Sequence, residues 1–77
     1  MNFPEVERIL DVARSDKERI VFLERVIPKL RGHDLRSALI VLANLYVLLR
    51  KFKKASELFE IVGMHEDSVK ARSRISR

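Results

Sequence analysis

Cysteine is missing from all 77 residues. Disulfides are therefore excluded, and zinc would have to rely on two histidines and carboxylates. The same absence is compatible with a reducing compartment, and a cytoplasmic location is the expectation. Glycine occurs twice, at 32 and 63, which allows no glycine-rich phosphate loop. Tryptophan is absent and aromatics make up 6% of the chain. Phe52 is the one aromatic set among basic residues, so the interleaved platform that stacks single-stranded bases is not there. The longest apolar stretch, residues 38–49 with Asn44 as its one fully polar side chain, spans 12 positions, against about 20 for a membrane-crossing helix. Met1-Asn2-Phe3-Pro4-Glu5 lacks the basic segment and apolar run of a secretory signal. No alternating apolar pattern and no Asn-Gly or Asp-Gly pair occurs, so strands and hairpin turns of that kind are not expected.

What is present is helical patterning. The apolar fraction of 47% suits a folded chain, and 77 residues are enough for one domain with a marginal core. Val6, Ile9, Leu10 and Ala13 share one helical face, which predicts a first helix over residues 4–14, with Pro4 in its first turn. Ser15 with Glu18 matches the capping box and opens a second helix, whose inner face is Ile20, Leu23, Val26, Ile27 and Leu30. Pro28 kinks that helix or leaves it a short final turn, and Gly32 is the natural stop. Asp34 is the expected cap of a third helix, apolar on nearly every side from 35 to 49. A fourth helix carries Ala55, Leu58, Phe59 and Val62 inward and ends at Gly63. A short basic fifth helix is expected over 66–75, with Val69, Ile75 and the stem of Arg72 inward.

The resulting expectation is an all-α protein of four to five helices, a small bundle of antiparallel helical hairpins in one domain. The first hairpin covers about 4–31, the second about 34–62, and the basic C-terminal helix about 66–75. Short turns favour that arrangement.

One spacing stands out. Leu39-x2-Leu42-Ala43-x2-Tyr46, followed after eight residues by Ala55-x3-Phe59, resembles a tetratricopeptide repeat. Ala43 and Ala55 are small where two helices would cross, and Leu39, Tyr46 and Phe59 are large around that crossing. Arg50 stands where such turns usually have glycine, and Asp67 where a proline closes the repeat. The resemblance covers residues 36–67. At an offset of 33, Ile9, Leu10, Phe22 and Val26 fall on Leu42, Ala43, Ala55 and Phe59, so the first hairpin would be a diverged repeat or a cap.

The resemblance implies a protein-binding groove lined by the first helix of each hairpin. On the third helix its candidates are Ser37, Ile40, Val41, Asn44 and Val47. Asn44 stands where a family asparagine bonds a peptide backbone or terminal carboxylate. Ile40 stands where carboxylate-clamping members carry lysine, which argues against that clamp. Most of these residues are apolar, so an apolar segment or a second copy of the chain is the expected partner. The third helix has more apolar surface than its own hairpin needs, and a homodimer is expected.

No catalytic constellation accompanies this. His33 and His65 lie at expected helix starts with no HxxxH or HExxH spacing, and His65-Glu66-Asp67 reads as capping. Glu5/Glu7 and Glu57/Glu60 read as solvated carboxylates. The expectation is a non-enzyme without cofactor, metal or small-molecule substrate. The alternative function is nucleic-acid binding. The net charge is +5 and skewed, with +1 in residues 1–49 and +4 in residues 50–77. Lys51, Lys53, Lys54, Arg72 and Arg74 would carry it, through sequence-independent phosphate contacts.

Overall fold

The computed structural model describes residues 1–75, apart from the side chains of His65, Glu66 and Ile75. It is all-α: α1 (Phe3–Val12), α2 (Asp16–Val26), a single 3-10 turn (Ile27–Lys29), α3 (Gly32–Leu48), α4 (Phe52–Ile61) and α5 (His65–Ile75). No strand occurs among the described residues, and no helix there is long and apolar enough to cross a membrane. The expected inward Ile75 and the capping roles of His65 and Glu66 lie outside the described residues. By internal contacts the chain divides into two compact units, Met1–Ala38 and Leu39–Arg77, with the boundary inside α3.

In the first unit, helix ends explain the layout. Asn2 caps α1, its Oδ1 accepting from Glu5 N–H at 3.1 Å. The Phe3 N–H donates to Asp34 Oδ1 at 3.1 Å. This corrects the expectation that Asp34 caps its own helix. α3 begins two residues earlier, so the carboxylate lies in its first turn and serves the positive end of α1 instead. Gly32 is likewise not a helix stop. It takes φ +58° at the first residue of α3, a left-handed conformation that glycine adopts without steric cost.

Ser15 caps α2 as expected, its Oγ accepting from Glu18 N–H at 3.2 Å. Glu18 returns the bond one residue further out, accepting from Arg14 N–H at 2.9 Å. Arg19 then ties α2 to the end of α1. Its Nε donates to Leu10 O at 3.0 Å and its Nη2 to Ala13 O at 3.1 Å, while Nη1 meets Asp16 Oδ1 at 2.8 Å. One planar guanidinium thus satisfies two terminal carbonyls and one carboxylate. Pro28 ends α2 in the 3-10 turn, and Leu30 beyond it is buried. Val6, Leu10, Ile20, Leu23 and Val26 are buried with it. Ile9, expected on the same face, is 39% exposed, because the buried stripe of a helix this short centres on Val6 and Leu10.

In the second unit, α3 and α4 end the same way. Lys51 N–H donates to Tyr46 O at 2.8 Å and Arg50 N–H to Val47 O at 3.0 Å. Met64 N–H donates to Phe59 O at 2.7 Å and Gly63 N–H to Glu60 O at 3.1 Å. Both are Schellman turns, and both need a left-handed residue at the second-last position. Gly63 has φ +79° and Arg50 has φ +60°. Arginine therefore occupies a conformation that costs an L-residue about 1–2 kcal/mol. On the two helices that these turns close, Ala43, Tyr46, Ala55 and Phe59 are buried, and Leu39 is half-buried.

α4 packs extensively on α5. Val69 was expected inward, but it is 61% exposed, and Ser68 and Ala71 are buried in its place. The contact is made by small side chains, which let helix axes approach. A β-branched residue 100° away around the helix faces outward.

Two exchanges test the turns. Arg50→Gly is expected to stabilise the fold by about 1 kcal/mol, raising the melting temperature by about 4–8 °C. Gly63→Ala is expected to cost about 1 kcal/mol, because a Cβ there meets nothing within 4 Å and only the backbone is strained. Equal melting temperatures for both variants would contradict the left-handed assignment. Separately, Arg19→Lys is expected to lose about 1–2 kcal/mol in urea melts, since an ammonium cannot reach both carbonyls and the carboxylate in one plane.

Candidate functional site

The protein-binding candidates lie along α3. Ile40, Val41 and Val47 are half-buried and Asn44 is exposed. Ser37, in the first unit, is half-buried. Leu48 follows Val47 and is 68% exposed. Positions 40, 41, 44, 47 and 48 recur at helical spacing, so they share one stripe. Its apolar members are partly open, and its one polar member, Asn44, is exposed.

The basic candidates divide by what their heads do. Lys51 and Lys53 are exposed. Lys54 Nζ lies 5.5 Å from the centroid of the Tyr46 ring, a cation–π distance that sets the start of α4 beside the last turns of α3. The Arg74 guanidinium lies 5.3 Å from the centroid of the Phe52 ring. Arg72 is committed to the fold. Its Nε donates to Ser56 Oγ at 3.0 Å, and Ser56 Oγ shares a 2.8 Å hydrogen bond with Ser68 Oγ. Its Nη2 lies 3.5 Å from Glu60 Oε1.

Ser56 and Ser68 are 3% and 0% exposed. Two buried hydroxyls that pair with each other and with a guanidinium satisfy the requirement that buried polar groups be bonded, and among the described residues no buried side-chain donor or acceptor lacks a partner. Sequence reading passed over this cluster, as it did Arg19. Serine and arginine carry no periodic apolar signal, and their partners lie on neighbouring helices. The one available hint was Ser68 and Arg72, four apart on α5.

The turn after α3 gathers the rest. Val47, Leu48, Arg50, Phe52 and Arg74 line an open groove of about 600 Å³. Arg50, Lys51, Phe52, Lys53 and Lys54 line a second, shallower one of about 440 Å³. The end of the α3 stripe therefore meets Arg50, Arg74 and Phe52, with Lys51, Lys53 and Lys54 along the second groove. Chemically the place offers aliphatic surface and cationic donors, with no nucleophile, acid–base pair or carboxylate cluster. Among the described residues no three His, Asp or Glu side chains gather to hold a metal.

Structural and free cations are separable by experiment. Arg72→Gln is expected to lower stability by about 1 kcal/mol in urea melts, its half-exposed pairing discounted for solvent. Joint replacement of Lys51 and Lys53 by glutamine is expected to leave stability within about 0.5 kcal/mol and to reduce retention on an immobilised polyanion. The opposite pattern would place the structural role at the lysines.

Compared with protein-family models, with curated proteins and with solved structures, the chain matches none of them.

Proposed function

We propose that the chain is a non-catalytic protein-interaction or self-assembly module that works through the α3 stripe. The observation that carries the reading is the exposure along the most apolar helix of the chain. Leu48 is 68% exposed beside half-buried Ile40, Val41 and Val47. An apolar surface left open on so small a fold is stabilised when a partner covers it. The small-and-large pattern of Ala43, Ala55, Tyr46 and Phe59, all buried, supports a tetratricopeptide-like hairpin as the scaffold. A homodimer in which two copies of the stripe pair about a twofold axis belongs to the same proposal, as does a cytoplasmic setting.

Polyanion binding is the second reading, favoured by the exposed Lys51 and Lys53 beside Arg50. It needs no base-reading motif and would weaken steeply with salt.

Light scattering over a protein concentration series tests the first reading. The expected result is a dimer mass for the natural chain and a monomer for Asn44→Arg, with an unchanged helical circular dichroism spectrum because residue 44 is exposed, and a lower melting temperature for the monomer because it loses the stabilisation of association. A monomer at every concentration would remove self-assembly. Tight retention on a polyanion, lost over a salt series, with no effect of Asn44→Arg on any assembly, would favour the second reading.

A further inference from the structure

The groove at the end of α3 differs from the rest of the stripe in combining two chemistries at close range. Its aliphatic side is Val47 and Leu48, and its cationic side is Arg50 and Arg74, with Phe52 between. Arg74 is held in place over the Phe52 ring at 5.3 Å. Arg50 is held by its backbone, at φ +60° in the Schellman turn. Its guanidinium has no hydrogen bond or ion pair among the described residues. Glycine would suit this turn better, so arginine sits there at a conformational cost, and backbone strain of this kind concentrates at contact sites.

We propose that this groove binds an acidic, aliphatic peptide segment of a partner protein, with carboxylates on Arg50 and Arg74 and an aliphatic side chain against Val47 and Leu48. The proposal rests on the reading of the chain as a protein-interaction module and names the partner's chemistry. Guanidinium forks match carboxylates two bonds at a time. Lys51, Lys53 and Lys54 flank the groove and steer an acidic segment toward it while repelling a basic one. A nucleic acid fits less well. It has no aliphatic side chain to cover Leu48, and the Phe52 ring, which a base would need for stacking, already carries Arg74. A second copy of the chain is the competing occupant, and the mass of the chain alone separates it from a partner's peptide.

Fluorescence anisotropy with three labelled probes decides it: an amphipathic peptide of glutamate and leucine, a polyglutamate of equal charge, and a single-stranded oligonucleotide. The glutamate–leucine peptide is expected to bind at least about tenfold more tightly than polyglutamate, since the aliphatic contact adds to the charge. Leu48→Asp and Arg74→Glu are each expected to weaken it by about tenfold or more. Arg50→Gly is the informative variant. It removes the guanidinium while relaxing the turn, so weaker binding together with a higher melting temperature cannot come from misfolding.

Three outcomes overturn the proposal: no binding of the glutamate–leucine peptide, equal binding of all three probes, or an oligomer of the chain alone that Arg74→Glu dissociates. The last would make a second copy the occupant. Failure of the peptide with a dimer still broken by Asn44→Arg would sink this groove and leave the α3 interaction reading standing.

Discussion

The carbonyls at the ends of α3 and α4 find their donors only because residues 50 and 63 turn left-handed. Each α-helix leaves four N–H groups and four carbonyls without intrahelical partners. Across the five α-helices of the described residues these ends are a large share of the backbone, and the fold is arranged around satisfying them. Asn2 and Ser15 cap by side chain, Asp34 reaches α1 from another helix, and Arg19 closes the end of α1 from α2. The two Schellman turns do the same work with backbone alone. They also fix where each following helix starts, and so which residues of α4 and α5 face inward.

Charge follows from this arrangement. The excess of basic residues is not a uniform coat. Arg19 and Arg72 have their heads on carbonyls, hydroxyls and carboxylates of the fold, where planar, multiply bonded guanidinium geometry matters more than net charge. Lys51, Lys53 and Arg50 stand in solvent at the turn. The buried pair Ser56 and Ser68 shows a related economy. Hydroxyls small enough for close helix packing satisfy each other, and Arg72 completes the set at its half-exposed rim.

The same turn that closes α3 carries the surface proposed for binding. There the local backbone preference and the side chain disagree: the geometry asks for glycine and the sequence supplies arginine. Natural folds are locally consistent except where a site needs otherwise. That conflict singles out residue 50 more clearly than the charge count does, and it lies where exposed aliphatic surface on α3 ends.

Helix number, the all-α class and most of the core were legible from residue spacing, because a stripe at i, i+3, i+4 and i+7 has one geometric meaning. Leu23, Val26, Leu42, Ala55 and Phe59 are buried as their spacing requires. Ser15 and Gly63 announced their ends by residue type, since few side chains suit those positions. Tertiary structure alone decided the rest. Asp34 serves α1 rather than its own helix, and α5 turns Ser68 and Ala71 inward in place of Val69. Arg72, largely exposed, closes the buried serine pair from the surface by a hydrogen bond to Ser56. Each of these depends on which helix lies alongside, and hydrogen bonds between helices leave no periodic trace in the chain that makes them.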